Sequence, residues 1–158
     1  MQLTRAADYG VRVMIQLASD AGKERISLPE LARATGAPAS FLSKVLQSLA
    51  RAGLLTSRRG QTGGFHITPR GAAASMLEVI EAIEGKIFLN VCLVAGRSCG
   101  RKAHCSAHPV WIEAQRTVVQ VLSGTSIAAM AATPVPGKTS QQAPMARGGF
   151  PIKITRRG

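Results

Sequence analysis

Three cysteines and two histidines lie within seventeen residues of this chain, from Cys92 to His108. This stretch, which we call the cysteine segment, holds every cysteine of the chain and two of its three histidines. Thiolates and imidazoles bind zinc and iron–sulfur clusters well. The spacing Cys92-x6-Cys99-x5-Cys105-x2-His108 therefore predicts a metal or iron–sulfur site.

The same residues are compatible with other chemistry. Zinc accepts the same four ligands as iron, and the three thiols could also work as a redox switch without any metal. A thiolate nucleophile assisted by His104 or His108 is conceivable. An enzyme is disfavoured, because the chain has no phosphate-binding loop, no dinucleotide fingerprint and no group of catalytic carboxylates. Structural disulfides are disfavoured by the odd number of cysteines.

The charge of the chain points to a polyanionic partner. Lys and Arg number 20 against 8 Asp and Glu, which gives a formal net charge of +12. Such an excess favours nucleic acid or an anionic membrane surface. No stretch approaches the roughly 20 apolar residues of a membrane span, and no segment resembles a secretory signal. We therefore expect a cytoplasmic protein with no membrane partner.

The elements that must position the cysteine segment begin with three helices. The spacing of apolar residues predicts a first helix over Arg5–Ser19. The sequence Ser27-Leu-Pro-Glu30 fits a capping box that opens a short helix, Leu28–Ala34. A turn containing Gly36 follows, and a third helix is predicted over Ala39–Ala52. A short helix, a tight turn and a helix with a polar and basic face predict a helix-turn-helix.

A glycine-rich hairpin is predicted directly after the third helix. Leu54–Ser57 and Phe65–Ile67 have the composition of two strands, and Arg58–Gly64 joins them with three glycines and two arginines. A hairpin in this place is typical of the wing of a winged helix. Arg58 or Arg59 could then grip phosphates or enter a minor groove.

Further helices surround the cysteine segment. After a connector over Thr68–Ala74, helices are predicted over Ser75–Glu84, Pro109–Leu122 and Ser126–Ala132. The helix over Pro109–Leu122 has apolar residues on more than one face, so we expect a second copy of the chain to cover it. The first of these helices carries three glutamates that we interpret as a solvated face: Glu78, Glu81 and Glu84.

The composition changes at Thr133. The last 26 residues are enriched in Pro and Gly, also contain Ser and Gln, and carry five basic residues and no acidic one. This predicts a disordered basic tail over 133–158. Its charge of +5 leaves +7 for the rest of the chain. We expect a winged helix-turn-helix domain over 1–85, and the cysteine segment with a dimerisation helix over 86–132.

Four stretches together resemble a known family. The sequences Leu3–Tyr9, Leu31–Leu42 and Arg58–Gly64, with the three-cysteine segment, are similar to the Rrf2 family of winged-helix transcription factors. Its members include iron–sulfur regulators, nitric-oxide sensors and iron regulators. The resemblance covers residues 1 to about 132. It implies a homodimer with a long crossing helix that binds pseudo-palindromic operators in double-stranded DNA.

The resemblance also implies where DNA binds. The third helix would enter the major groove, and the wing would reach the minor groove through Arg59. The DNA-binding residues that we expect are Ser40, Ser43, Lys44, Gln47, Arg58, Arg59, Gly63 and Gly64.

For the metal, the resemblance implies an iron–sulfur cluster on Cys92, Cys99 and Cys105. His108 matches the fourth ligand of a two-iron (2Fe–2S) cluster in one member, and Asp8 matches a carboxylate that reaches the partner's four-iron (4Fe–4S) cluster in another. We favour His108 and a two-iron cluster, and zinc remains the alternative metal.

Together these features predict a mainly α fold with a small β-wing: a winged helix-turn-helix plus a long dimerisation helix. The expected function is that of a regulator, a repressor, and not of an enzyme. We hypothesise that the state of the cysteine segment shifts the placement of the two winged helices and so changes operator affinity.

Overall fold

Hydroxyl side chains cap the first turns of the early helices. In a computed structural model of the chain, which describes residues 3–22, 24–60, 62–97 and 99–133, the Thr4 hydroxyl accepts hydrogen bonds from the amides of Ala6 and Ala7. Ser27 and Glu30 form both halves of the predicted capping box. The basic tail beyond Thr133 lies outside the described residues.

The predicted helices are present. In chain order the elements are α1 Arg5–Ser19, α2 Leu28–Thr35, α3 Ala39–Arg51, β1 Leu55–Arg58, β2 Gly64–Ile67, α4 Pro69–Ala73, α5 Met76–Glu84, α6 His108–Ser123 and α7 Ile127–Ala132. Two short 3₁₀ turns, Val91–Leu93 and Lys102–His104, lie inside the loop between α5 and α6. The structure therefore confirms a mainly helical fold with a two-stranded antiparallel wing.

Several sequence-based boundaries were wrong, most of them by one residue, and one short helix was missed. The strands begin one residue away from the predicted positions, because Leu54 donates its amide to the carbonyl of Leu49 at the end of α3 and is not part of β1. The connector over Thr68–Ala74 contains the short helix α4. The Thr68 hydroxyl caps it by accepting from the amide of Gly71, and Pro69 suits its first turn.

The core lies around α1, which packs against α2, α3, α5 and α7. Fully buried side chains come from α1 and α3 above all, among them Met14, Leu42, Leu46 and Leu49. A methyl group at Gly10 would overlap the side chain of Ile83, so the glycine allows α1 and α5 to approach closely. Among the described residues, no helix combines the length and the apolar character needed to cross a membrane.

The wing is held to the rest of the domain by a third short pairing. Within the hairpin, Leu55 pairs with Ile67 and Arg58 with Gly64. Ile26, in the segment before α2, exchanges two backbone hydrogen bonds with Phe65, at 3.0 and 2.9 Å. This isolated bridge has no sequence signal of its own, and it fixes the base of the wing against the helix-turn-helix.

Two of the three glutamates of α5 have structural roles, so their interpretation as a plain solvated face was incomplete. Glu78 closes a capping box with Ser75, whose amide and hydroxyl lower the pKa of the Glu78 carboxyl. Glu84 accepts from the amide of Thr4 at 2.9 Å and from its hydroxyl, which joins the end of α5 to the start of α1. The cysteine segment follows soon after this junction.

Candidate DNA-binding surface and metal centre

The third helix has one buried face and one free face. Leu42, Val45, Leu46 and Leu49 are buried in the core. On the other side Ser40, Lys44 and Gln47 are exposed, and Ser43 is half-buried at the edge. The predicted contact residues therefore share an accessible surface, and its first turn is where helix-turn-helix proteins reach base edges.

The wing presents its two arginines to solvent, since Arg58 and Arg59 are both exposed. Its glycines also have a structural role. A methyl group at Gly63 would collide with backbone atoms of Arg58 and Arg59, and one at Gly64 would lie 2.7 Å from the Ile26 carbonyl oxygen. The fold of the wing itself thus requires both glycines. Whether they also approach DNA stays a prediction.

The cysteine segment holds its three thiols half-buried and free of disulfides. Cys92 lies in the first 3₁₀ turn, and Cys105 follows the second. The carbonyl of Cys105 accepts from the amide of His108 at 3.0 Å, so the last thiol and the start of α6 are linked through the backbone. Within the described residues, no three Cys, His, Asp or Glu side chains converge closely enough to share a metal ion.

His108 is the member of the set that most clearly fits a ligand. It is the first residue of α6, and its Nδ1 atom is buried while none of the described residues offers it a hydrogen-bond partner. A buried ring nitrogen without a partner costs folding free energy, on the order of 1–3 kcal/mol. Together with the three thiols of the same segment, the nitrogen suits iron or zinc, but the four ligands do not converge in this structure.

The alternative fourth ligand, Asp8, is engaged elsewhere. Its carboxylate forms an ion pair with Arg12 one turn later on α1, at 2.9 Å, and both side chains are about half exposed. The same guanidinium donates a second hydrogen bond at 3.1 Å. Asp8 would have to leave this pair in order to bind a metal.

Gln115 anchors the start of the loop to α6. Its side-chain oxygen accepts from the amide of Leu89 at 2.9 Å, and its side-chain nitrogen donates to the carbonyl of Ile87 at 2.9 Å. Gln115 comes seven residues after His108, two helical turns along the same face. Sequence reasoning missed this residue. The sequence did contain a signal for it, because Gln115 is a polar residue among the apolar positions that form the inner face of α6.

The long helix α6 is hardly covered by its own chain. None of its residues is buried, and Val110 and Val121 are each 68% exposed. Only its inner side, with Val118 and Leu122, packs against the core. A helix of this length extends roughly 24 Å, so a long apolar surface is left open.

Comparisons with known proteins agree with this architecture. Residues 3–133 match the family model of Rrf2, described as an iron-dependent transcriptional regulator. An HTH-type transcriptional regulator of Azotobacter vinelandii, ORF2, is 31% identical over 132 residues, which are 84% of this chain and 80% of that protein. The regulator IscR of Vibrio vulnificus is 25% identical over 127 residues, or 80% and 75% of the two chains.

A solved structure shows the same fold. CymR of B. subtilis, the global cysteine regulator, superposes with a TM-score of 0.68 at 25% sequence identity, covering 84% of this chain and 97% of that one. The prediction of a regulator in place of an enzyme is thereby confirmed, because the matched family consists of transcriptional regulators. The chain belongs to the Rrf2 family of winged-helix, DNA-binding transcriptional regulators.

Proposed function

We propose that this chain is a cytoplasmic iron–sulfur-sensing repressor that binds pseudo-palindromic operators as a homodimer. The observation that carries the sensor part is the buried Nδ1 atom of His108, which has no partner among the described residues and belongs to the same segment as three half-buried thiols. The DNA-binding domain spans 1–85 in this proposal, and the sensor with its dimer helix spans 86–132. The description of the matched family as iron-dependent supports it.

The dimer forms through α6. Val110 and Val121 are 68% exposed in the single chain, and Ile112 is 41% exposed. Burial of such side chains stabilises an interface by roughly 25 cal/mol per Å² of apolar area. A two-fold axis across α6 also places two winged helices on one DNA duplex, as a palindromic site requires.

On DNA, α3 enters the major groove with Ser40, Ser43, Lys44 and Gln47. The exposed guanidinium groups of the wing bind phosphates or the minor groove on the flank. Gly63 and Gly64 allow the wing to adopt its backbone conformation. An approach of these glycines to the DNA backbone depends on that conformation.

Cys92, Cys99, Cys105 and His108 hold the cluster in this proposal. A bound cluster supplies a centre that reacts with oxidants and nitric oxide and that is lost when iron is scarce. We favour the two-iron form, because His108 has a free buried nitrogen whereas Asp8, which the four-iron form would use, is paired with Arg12. Zinc on the same four residues is the alternative occupant.

Two side chains connect the loop between α5 and α6 to its neighbours, so a change in the conformation of the loop is passed on to the DNA-binding domain. Gln115 ties Ile87 and Leu89 to α6, and Glu84 ties the end of α5 to Thr4 at the start of α1. Drawing the thiols together thus pulls on a segment that is fastened both to the dimer helix and to the helix-turn-helix. The operator affinity changes because the relative placement of the two domains changes.

The test is anaerobic purification followed by absorption spectroscopy, native mass spectrometry and assays of iron and sulfide. We expect a coloured protein with iron and sulfide bound. Cys92→Ala, Cys99→Ala, Cys105→Ala and His108→Ala should each lower the cluster content, and His104→Ala is the matched control because His104 is exposed in the same segment. A colourless protein with zinc, or one with reactive thiols alone, would reject the iron–sulfur proposal.

The regulatory part is tested by measuring the affinity of duplexes selected from a randomised library. The cluster-loaded and metal-free forms should differ in affinity for a selected duplex, and His104→Ala should preserve that difference. Equal affinities in all forms would contradict a sensor role and leave only a DNA-binding protein.

A further inference from the structure

Phe41 is a large apolar side chain in an unusual place. It lies in the first turn of α3, and its side chain is 39% exposed. Its neighbours Leu42, Val45 and Leu46 are buried in the core, but Phe41 is not among the residues packed there. This exposed phenyl ring lies in the first turn of the helix that we propose to enter the major groove, where side chains reach base edges.

The ring is held in a defined orientation by α1. The centroids of the rings of Phe41 and Tyr9 are 5.7 Å apart, and their planes meet at 76°. This edge-to-face geometry is a favourable aromatic contact, on the order of 1 kcal/mol beyond the buried area. Tyr9 itself is half-buried and packs against the core, so it can fix the Phe41 ring while one side of that ring stays open.

The surroundings of the ring fit DNA better than protein. Ser40 precedes it, and Lys44 lies one turn later on the same side of the helix; both are exposed. No acidic residue occurs in the first turn of α3. The cation and the hydroxyl can contact the phosphates that border a DNA groove, while the apolar ring between them faces into the groove. In the major groove, the C5 methyl group of thymine is the apolar feature of the base edges.

We propose that Phe41 is a sequence-reading residue whose ring contacts the C5 methyl group of a thymine in each operator half-site. This inference rests on DNA binding by α3, which belongs to the proposed function, and it is independent of any metal. It predicts a preference for thymine at one base pair that the polar residues of α3 alone do not explain. Tyr9 acts as a positioning residue, because it touches the ring and not the base.

The experiment uses the full-length protein and a duplex selected by it from a randomised library. Each thymine of that duplex is replaced in turn by deoxyuracil, which removes only the methyl group. We expect wild type to lose about fourfold in affinity at one thymine of each half-site, which corresponds to the burial of one methyl group. Phe41→Ala should bind the thymine and deoxyuracil duplexes equally, and the other thymines serve as internal controls.

Two further variants keep the test informative. Phe41→Leu retains an apolar side chain and should keep part of the thymine preference even where Phe41→Ala folds poorly. Tyr9→Phe keeps the ring–ring contact and should prefer the thymine duplex over the deoxyuracil duplex as strongly as wild type does. Thermal unfolding of each variant verifies that the domain is intact.

Several results would overturn the proposal. Wild type could be insensitive to every methyl deletion, or Phe41→Ala could retain the same sensitivity as wild type. A loss of self-association in Phe41→Ala, with thymine discrimination unchanged, would assign the ring to an interface between copies. If wild type selects no sequence at all, the operator-binding function and this inference fail together, whereas failure at Phe41 alone leaves operator binding intact.

Discussion

The two halves of this chain are stabilised in different ways. In the winged-helix half, α1, α2, α4 and α5 begin with side-chain hydroxyl caps, and α1 and α3 each bury an apolar face. In the other half, α7 is capped by Ser126 and buries Ile127. In contrast, α6 begins without a side-chain cap, buries none of its residues, and starts at His108, whose buried imidazole nitrogen has no partner among the described residues. The first half is complete within one chain. In the second half, the cysteine segment and α6 have the features of a region that needs a second copy of the chain and a bound ligand to complete its packing.

The largest effect that separates the halves should come from the core. Leu46 is 1% exposed whereas Val110 on α6 is 68% exposed. Leu46→Ala should lower the free energy of unfolding by about 2–5 kcal/mol through the loss of buried contacts and the cavity left behind. The measurement is urea unfolding of the purified protein. Val110→Ala, measured under conditions where the chain is monomeric, is the control and should be nearly neutral. A similar cost for both would mean that α6 is buried within the single chain.

The second effect concerns association. Val121→Asp places a charge on the exposed apolar side of α6, and we expect the dimer dissociation constant to rise at least about 100-fold, because an unpaired charge is costly to bury. Analytical ultracentrifugation over a concentration series measures it. Gln120→Asp introduces the same charge at the neighbouring exposed position of the polar side and should have little effect. Equal dissociation in both variants would point to unfolding of the helix and not to a lost interface.

A smaller, local effect is expected at the loop anchor. Gln115→Ala removes two hydrogen bonds of 2.9 Å to Ile87 and Leu89, each worth about 1 kcal/mol. The Leu89 amide should therefore exchange with solvent faster, roughly five- to thirtyfold, while amides within α3 stay unchanged. Hydrogen-exchange mass spectrometry detects this difference. Gln120→Ala is the matched control, because that side chain is exposed on the same helix. Unchanged exchange near Leu89 would show that other contacts hold the loop.

The smallest effect is a pH dependence at the start of α5. Hydrogen bonds from the amide and then the hydroxyl of Ser75 lower the pKa of Glu78, against a small opposing effect of burial and with help from Arg70. A lowered pKa means that the folded state favours the charged carboxylate. The resulting stability is present above the ordinary pKa of glutamate and is lost as the pH falls through the lowered value.

Glu78→Gln should thus flatten the loss of stability of the protein between neutral and acidic pH. Only a small change is expected, because the carboxylate is exposed. Urea midpoints measured over that pH range test it. Glu113→Gln is the control, an exposed glutamate of α6 that pairs with Arg116. If Glu78→Gln lost stability at acidic pH in the same way as wild type, the capping box would not contribute to the pH dependence.

Much of the winged-helix half could be predicted because its signals are local. The Ser27 and Glu30 capping box, the Gly36 turn and the apolar face of α3 depend on residues within a few positions of one another. The family resemblance agreed with the comparisons for the same reason, since its motifs are short and ordered along the chain. The bridge between Ile26 and Phe65 escaped prediction, because nothing near either residue indicates the other.

The candidate sites also combine features that follow from local sequence with features that depend on tertiary contacts. The residue types and intervals of the cysteine segment, the polar positions of α3 and the arginines of the wing follow from the sequence alone, because chemistry and helical periodicity are local properties. Only the tertiary structure decided that Glu84 joins α5 to α1, that Gln115 holds the loop to α6, that Phe41 keeps an open ring beside Tyr9, and that His108 has an orphaned nitrogen. These depend on contacts between residues far apart in sequence, and such contacts exist only once the core has packed.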